Sequence, residues 1–309
     1  MAIDLRTKKI LVTGGAGFLG VHVIDNLIKK RGVPERNIFA PSSQKLDLRI
    51  LENCENAVKG QDLVIHVAGV TGNTEFHRQN PAKIFYDNII MGVQLMEAAR
   101  LAGVEKFINI GSAAEYPENV PSPLKEQNLW MGLPEATHVP YSIAKKMLLV
   151  MAQAYRKQYG FNAIHLLLTN MYGPGDKLER EFVIPSLMKK IWSAQKNHEN
   201  SIEIWGSGKA TRDFLYVEDA ADGVIAALEK YNQSEPINIG SGWEVSIREL
   251  AELIAQIMNF QGDLVFNADK PEGQKRRILD TSRAEQELGF KAITDLKTGL
   301  ATTIKFYGH

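Results

Sequence analysis

Short apolar stretches alternate with amphipathic stretches along the first half of the chain. Strands are predicted at Ile10–Thr13, Asn37–Ala40, Leu63–Val67, Phe107–Ile110 and Ile164–Leu168. Helices are predicted at Gly17–Lys30, Asp47–Val58, Ala82–Ala102 and Tyr141–Tyr159. This alternation favours a parallel sheet covered on both faces, which binds ligands at the carboxyl ends of its strands.

After Tyr172 the pattern becomes irregular. A basic and apolar helix around Ile184–Trp192 is followed by short strands and by a helix near Ile247–Met258. We interpret this part as a smaller lobe that closes over a ligand. The predicted fold class is therefore α/β, with a doubly wound parallel Rossmann sheet in residues 1–172 and a smaller α/β substrate lobe, interleaved with it, in residues 173–309.

A glycine-rich turn, VTGGAGFLG, follows the first predicted strand. Gly14, Gly17 and Gly20 have the spacing G-x-x-G-x-x-G between a strand and a helix. Gly14 would form the tight turn, Gly17 would let the backbone approach a pyrophosphate, and Gly20 would let the helix pack on the strand. An ordinary glycine-rich turn is the alternative, but the position favours a dinucleotide site.

The end of the second predicted strand bears on the choice of cofactor. NAD sites usually have an acidic residue there, which binds the ribose 2′-hydroxyl. Here the segment APSSQK has no acid, while hydroxyls such as that of Ser42 and the ammonium of Lys45 could hold a 2′-phosphate. NADP is therefore favoured, and NAD stays possible. Asp47 could bind the adenine amino group, cap the next helix, or do both.

Tyr141 and Lys145 lie four residues apart in PYSIAKK, on one helical face. An ammonium beside a phenol favours the phenolate, and lowering its pKa by about three units takes about 4 kcal/mol. Ser112 follows the fourth strand at the ligand-binding edge, where a hydroxyl can bind the reacting oxygen of a substrate. An ordinary surface serine is the alternative for Ser112 alone. Together the three residues are the predicted catalytic set.

Composition limits the classes of partner. Lys plus Arg and Asp plus Glu both total 36, and this zero net charge argues against nucleic acid or an anionic membrane as partner. Cys54 is the single cysteine, so neither a disulfide framework nor a cysteine metal site is expected, and no metal site is predicted. The first residues lack the apolar core of a signal peptide, and no apolar run is long enough to span a bilayer. We expect a cytoplasmic protein.

These motifs resemble the extended short-chain dehydrogenase/reductases that act on nucleotide sugars, and most of all the GDP-fucose synthases. The similar stretches run nearly end to end and include VTGGAGFLG, GSAAEYP, YSIAKK, TNMYGPGD, WGSGKATRDFLYVEDAA and RRILDTSRAEQELGF. The resemblance implies NADP as cofactor, a nucleotide sugar as small-molecule substrate, and a homodimer formed through Ala82–Ala102 and Tyr141–Tyr159.

The resemblance also implies roles for individual residues. Tyr141 would protonate the C4 oxygen as hydride arrives, with Ser112 and Lys145 completing a triad. The predicted cofactor contacts are Gly14, Gly17, Phe18, Leu19, Gly20, Ser42, Asp47, Leu48, Ala68, Gly69, Asn88, Ile110, Tyr141 and Lys145. The predicted substrate contacts are Asn170, Lys190, Trp205, Arg212 and Arg277. A guanidinium suits bidentate binding of phosphate, but Arg277 could equally belong to a solvated charge run and Trp205 to the core.

The chain departs from the GDP-fucose synthases at two positions. Their epimerisation cysteine and histidine fall on Ala114 and Phe182, which cannot carry a proton. The Asp-Glu pair of related dehydratases falls on Ala113 and Ala114. The histidines His77, His138 and His165 do not obviously substitute, and Glu115 is expected to face solvent although it could serve as a base.

We therefore expect NADP-dependent reduction of a 4-keto-6-deoxy nucleotide sugar, GDP-linked, at C4 and without 3,5-epimerisation. The hydride would come from nicotinamide and the proton from Tyr141. One alternative is a nucleotide-sugar C4 epimerase with tightly bound NAD. Another is a non-catalytic dinucleotide-binding protein.

Overall fold

The computed structural model describes residues 3–180, 182–270 and 272–308 of the chain. The strands are β1 (Ile10–Thr13), β2 (Ile38–Phe39), β3 (Leu63–His66), β4 (Lys106–Ser112), β5 (Ala163–Leu168), β6 (Asn170–Tyr172), β7 (Ser201–Trp205), β8 (Thr211–Arg212), β9 (Phe214–Tyr216), β10 (Ile237–Ile239), β11 (Val245–Ser246), β12 (Asp263–Asn267) and β13 (Arg276–Arg277). The α-helices are α1 (Phe18–Asp25), α2 (Leu51–Val58), α3 (Thr74–Gln79), α4 (Pro81–Leu101), α5 (Val139–Tyr159), α6 (Val183–Lys196), α7 (Val217–Lys230), α8 (Ile247–Ile257), α9 (Ser282–Leu288) and α10 (Leu296–Tyr307). Each strand and helix predicted from the pattern overlaps one of these.

Six strands form the main sheet in the order β10-β5-β4-β3-β1-β2. Every neighbouring pair in it is parallel. The chain order reverses at β1, because β2 lies on one side of it and β3 on the other. Such a switch point leaves a crevice at the carboxyl ends of the strands, where ligands bind. The predicted doubly wound Rossmann sheet is confirmed.

The central strands are buried on both faces, which explains their continuous apolar sequence. Ile10 and Val12 of β1 pack into one apolar layer, together with residues of α1, α7 and α9. Leu11 packs into the opposite layer, with residues of α2, α4 and α5. Because side chains of a strand alternate between faces, one short apolar run supplies both layers.

The second half of the chain does not stay apart from this sheet. Helix α7 packs against α1, and β10 pairs with β5 at the edge of the main sheet. A further apolar cluster joins α6, α8 and α10 with β7 and forms the smaller lobe. The division at residue 172 stays a prediction, because segments on its far side complete the main sheet.

Helix α2 begins at Leu51 rather than at the predicted Asp47. The Asp47 carboxylate instead accepts a hydrogen bond from the backbone N–H of Arg49 at 3.0 Å and closes a turn ahead of the helix. The N-cap of α2 is Ile50, so the alternative in which Asp47 caps this helix is wrong. Within the described residues, no helix has both the length and the apolar character needed to cross a membrane.

Candidate active site

The glycine turn lies against the loop that follows β3. Gly14 has φ +69°, and a Cβ on it would lie 2.8 Å from the backbone N of Ala68. A Cβ on Gly20 would lie 2.1 Å from the Gly14 carbonyl oxygen, so α1 packs against the turn only without a side chain there. Gly17 is the N-cap of α1 and makes no side-chain cap, which leaves backbone N–H groups of the first turn for an anion. The turn thus has the shape of a cradle for a pyrophosphate.

Asn88 of α4 holds the next loop in place. Its amide oxygen accepts from the Val70 N–H at 3.0 Å, and its Nδ2 donates to the carbonyl oxygens of Val70 and Ile84, both at 2.8 Å. A Cβ on Gly69 would lie 3.1 Å from Asn88 Oδ1 and 3.3 Å from Lys145 Nζ. The structure therefore brings the predicted residues Gly69, Asn88 and Lys145 together at the carboxyl edge of the sheet.

Ser112 and Tyr141 meet at the end of β4. Ser112 ends the strand and caps a single helical turn, its Oγ accepting from the Ala114 N–H at 3.2 Å. Ser142 donates to the Ala114 carbonyl oxygen at 2.8 Å, which holds the start of α5 against that turn. Tyr141 interacts with the Ser112 side chain by a hydrogen bond. Lys145 follows Tyr141 by four residues on α5, so the three predicted catalytic residues lie together at this strand end.

The pKa values of this cluster differ from the sequence argument. Burial is the main cause that raises the pKa of Tyr141, the charge of Glu115 adds to it, and the hydrogen bond with Ser112 opposes it. The expectation that Lys145 sets a lowered tyrosine pKa is therefore wrong in direction. Burial lowers the pKa of Lys145 to about 8, and Glu115 opposes that change. Tyr141 consequently carries its proton at neutral pH.

Glu115 does not face solvent, so that prediction is wrong. The residue is 0% exposed, and its carboxylate accepts from the Ser112 N–H at 2.8 Å. Its other oxygen lies 3.0 Å from Nε2 of His165, which is also buried. The sequence offered no signal for this pair, because Glu115 and His165 are 50 residues apart.

Two further histidines, His77 and His138, lie near Tyr141. Neither belongs to a sequence motif that predicts this place. The ring of His77 packs edge-on against that of Tyr141, with centroids 5.5 Å apart. His138 lies 4.6 Å from His77, centroid to centroid, and its Nδ1 is 2.5 Å from a carboxylate oxygen of Glu135. Burial, reinforced by His138, lowers the pKa of His77 to about 4. These groups form a wall of the site next to the predicted proton donor.

Three predicted substrate residues line a pocket of about 220 Å³ in the smaller lobe: Lys190, Trp205 and Arg212. Trp205 is 56% exposed, so its assignment to the core is wrong and its ring is free to stack on a base. The Lys190 ammonium donates to the Glu203 carbonyl oxygen at 2.8 Å and lies 6.0 Å from the Trp205 ring centroid.

Arg277 lies on β13, opposite Arg212 in the neighbouring strand β8. Its Nη2 donates to Asn170 Oδ1 at 3.0 Å, and its buried Nε has no hydrogen-bond partner among the described residues. Burial, together with the charge of Arg277, lowers the pKa of Arg212 to about 10, so the two guanidinium groups repel each other. Neighbouring Arg276 is instead exposed and paired with Glu244 at 2.7 Å. Arg277 is therefore not part of a solvated charge run, and an anion of two charges would suit this pair.

The remaining predicted cofactor residues lie near the crevice without a diagnostic contact. Phe18, Leu19 and Ile110 belong to the apolar layer that includes β1, and Leu48 to the opposite layer. Ser42 accepts from the Lys45 N–H through its carbonyl oxygen at 3.0 Å. The Asp47 carboxylate is paired with the Arg49 guanidinium at 2.6 Å. Their roles stay predictions.

Comparison with known proteins supports this assignment of motifs. The sequence profile of the NAD dependent epimerase/dehydratase family matches residues 10–240. The chain is 37% identical over 307 residues to the GDP-L-fucose synthase of Sinorhizobium fredii (strain NBRC 101917 / NGR234), an alignment covering 98% of this chain and 96% of that protein. It is 30% identical over 305 residues to the GDP-L-colitose synthase of Yersinia pseudotuberculosis, covering 97% of each.

A similar solved structure is that of the GDP-mannoheptose C4 reductase from Campylobacter jejuni with NADP bound. The two share 29% identity with a TM-score of 0.87, over 98% of both chains. The resemblance to GDP-fucose synthases and related nucleotide-sugar enzymes is confirmed.

Proposed function

Because the chain belongs to the NAD dependent epimerase/dehydratase family, we propose that it reduces a 4-keto nucleotide sugar at C4 with NADPH as hydride donor. We further propose that the substrate is a GDP-linked 4-keto-6-deoxy sugar. The proteins that are similar in sequence and the protein that is similar in structure are all named for GDP sugars. The observation that carries the proposal is the meeting of Ser112, Tyr141 and Lys145 across from the glycine cradle, at the carboxyl edge of the sheet.

The residues present fit a dinucleotide. A Cβ would collide at both Gly14 and Gly20, so these two glycines shape the cradle. Helix α1 begins in this cradle, and the N-terminal end of a helix favours phosphate. Lys145 would hold the nicotinamide ribose, beside Asn88. The segment after β2 offers Ser42 and no free carboxylate, since Asp47 is neutralised by Arg49. This charge balance supports a 2′-phosphate and therefore NADP.

Proton transfer follows from the position of Tyr141. When hydride reaches C4, the carbonyl oxygen acquires negative charge, and the tyrosine hydroxyl donates its proton to that oxygen. Ser112 donates a second hydrogen bond to the same oxygen. A tyrosine with a raised pKa begins in the protonated form that this step needs. C4 epimerisation would begin with the opposite transfer, from a 4-hydroxyl group to a phenolate.

The substrate would lie with its diphosphate on Arg212 and Arg277 and its base against Trp205. The Nε of Arg277, which has no partner in the part of the chain that the structure describes, supports an anion at this place. We propose no 3,5-epimerisation by the pair used in GDP-fucose synthases, because Ala114 and Phe182 cannot exchange protons.

A panel of GDP-linked and other nucleotide sugars, with a 4-keto or a 4-hydroxyl group, tests the proposal. Steady oxidation of added NADPH by a 4-keto-6-deoxy GDP sugar is expected, with slower turnover for NADH. A dinucleotide that stays bound while 4-hydroxy sugars interconvert would instead establish the C4 epimerase. Dinucleotide binding with no turnover across the whole panel would favour the non-catalytic alternative.

We also propose that the chain forms a homodimer through α4 and α5. These helices pack against each other and expose large apolar side chains, among them Tyr86, Leu101 and Tyr159. Light scattering of the purified protein, expected at twice the chain mass of 34.5 kDa, checks this. A monomer at micromolar concentration would contradict it.

A further inference from the structure

A buried ionisable pair lies directly behind the predicted catalytic residues. Glu115 stands in the helical turn that Ser112 caps, and its carboxylate folds back onto the Ser112 N–H. The imidazole of His165, on the neighbouring strand β5, reaches the same carboxylate at 3.0 Å. A Cβ on Gly111 would lie 2.3 Å from His165 Nε2 and 2.4 Å from Glu115 Oε1, so only glycine there allows the two groups to meet.

Hydrogen bonds hold this pair in place. The side-chain amide of Asn109, which faces His165 across the sheet, contacts His165 Nδ1 at 2.7 Å. On the other side of the ring, His165 Nε2 lies 3.0 Å from Oε2 of Glu115. Oε1 of Glu115 accepts from the Ser112 N–H at 2.8 Å. Both carboxylate oxygens of Glu115 thus have a partner.

The charge of Glu115 acts on both Tyr141 and Lys145. Glu115 favours the neutral phenol over the phenolate at Tyr141 and the ammonium over the amine at Lys145. The charge of Glu115 also acts to raise the pKa values of Lys146 and Tyr116. The other ionisable groups that face Tyr141 or Lys145 come from β3, α3 and the turn before α5: His66, His77 and His138, the last paired with Glu135. Glu115 is thus the carboxylate that opposes the loss of a proton from both residues.

We propose that Glu115 and His165 form a positioning pair, which fixes the backbone of Ser112 and keeps Tyr141 and Lys145 protonated through neutral pH. This inference rests on the proposed function, in which Tyr141 gives its proton to the substrate and Lys145 holds the cofactor ribose. The pair does not touch the substrate. It sets the alkaline limit at which the proton-donating form of the site is lost.

The sign of the effect is the same for both residues. Tyr141 and Lys145 each lose a proton as the pH rises, and a nearby anion favours the protonated form of each. Removing the charge of Glu115 therefore lowers the pKa of both residues. The alkaline limb, which is the fall of kcat as the pH rises, then moves to lower pH. Loss of one unit charge is expected to move this limb by about one pH unit.

Glu115→Gln is the decisive variant, because its amide oxygen can still accept from the Ser112 N–H. At pH 6, kcat for reduction of a GDP-linked 4-keto-6-deoxy sugar is expected to stay within about threefold of wild type, while the alkaline limb moves down by about one pH unit. KM for the sugar should not change. Glu118→Gln, which removes an exposed charge from the same segment, is the matched control and should leave the limb in place. Coincident limbs for wild type and Glu115→Gln would overturn the proposal.

Glu115→Asp keeps the charge and shortens the reach to Ser112. It is expected to lower kcat at every pH while leaving the limb at the wild-type position, and a limb shifted as far as in Glu115→Gln would contradict an electrostatic role. If Glu115→Gln does not fold, a limb of Glu115→Asp that departs from the wild-type position by about one pH unit would overturn the proposal.

A second readout does not need a sugar. The Kd of NADPH, followed by its fluorescence, should rise as Lys145 loses its proton, near pH 8 in wild type and about one unit lower in Glu115→Gln. The same midpoint in both proteins would reject the inference even where no substrate is found. If wild type turns over a 4-keto sugar and Tyr141→Phe does not, but the limbs coincide, only this inference fails and the proposed function stands.

Discussion

The cofactor crevice and the substrate pocket are built in different ways. The crevice takes its shape from contiguous segments: one turn with Gly14 and Gly20, one strand end with Ser112, and one helix with Tyr141. The pocket is lined by Lys190, Trp205 and Arg212 from three elements, and Arg277 lies opposite Arg212 on a fourth. The cofactor side is therefore readable from local motifs, whereas the substrate side exists only after distant segments have met. Variants in the crevice should therefore change kcat or the Kd of NADPH. Variants in the pocket should change KM for the sugar.

The largest expected effect lies at the junction of the two regions. Tyr141→Phe removes the proton donor and should lower kcat by about a thousandfold, because general acid catalysis contributes roughly 10²–10⁴-fold. The Kd of NADPH should change less than about threefold, since the ring and its packing against His77 remain.

The control for this variant is Tyr159→Phe at the exposed end of the same helix, which should be neutral. Near-normal turnover in Tyr141→Phe would remove Tyr141 as the donor.

Gly20→Ala should affect the cofactor side alone. Its Cβ would lie 2.1 Å from the Gly14 carbonyl oxygen, so the cradle must move, at a cost of about 3 kcal/mol. We expect the Kd of NADPH to rise about a hundredfold, measured by fluorescence titration.

Gly132→Ala, where the nearest atom is a proline side chain at 3.3 Å, is the comparison and should bind NADPH normally. Unchanged affinity in Gly20→Ala would show that the turn does not bind the pyrophosphate.

Arg277→Ala should affect the sugar side alone. Loss of a charged hydrogen-bond donor costs about 2 kcal/mol, so KM for the nucleotide sugar should rise about thirtyfold while the Kd of NADPH stays constant. The adjacent Arg276→Ala removes the same charge but breaks only an exposed pair with Glu244, and its KM should stay close to wild type. Equal effects of the two variants would mean that Arg277 acts through bulk charge rather than contact.

Trp205→Leu has the smallest expected effect. Stacking of a base on an aromatic ring contributes about 1–3 kcal/mol, and the half-exposed position of Trp205 favours the lower end. We expect KM to rise about fivefold with kcat unchanged. A fall in thermal stability without a change in KM would place Trp205 in folding rather than in binding.

Most of the fold could be predicted because it depends on local patterns. Apolar runs such as that of β1 are buried on both sides, and the predicted strands all overlap observed ones. The ends of the elements were harder to predict. Helix α2 begins four residues later than predicted, because Asp47 closes a turn ahead of it. The periodicity does not distinguish an aspartate that closes a turn from one that caps a helix.

The candidate site was predictable where spacing carried the information. Tyr141 and Lys145 were found from a four-residue interval, and the structure brings both to the end of β4. The histidines beside Tyr141 were not found, because His77 lies on a different helix and reaches the tyrosine only through packing. The direction of the tyrosine pKa was wrong for a related reason, since burial and the charge of Glu115 raise it, and burial is a property of the whole fold.

Local sequence is enough to predict the sheet, the glycine cradle and the tyrosine–lysine pair, because each depends on the period of a strand or helix or on a spacing of a few residues. Only the packing of distant segments determines that Glu115 is buried against His165, that Arg277 rather than Arg276 contacts Asn170, and that Trp205 is exposed. These outcomes depend on partners far away in the chain, as with Arg277 and Asn170, which are 107 residues apart. Whether a charge is solvated or buried is determined by such partners, and local sequence does not contain them.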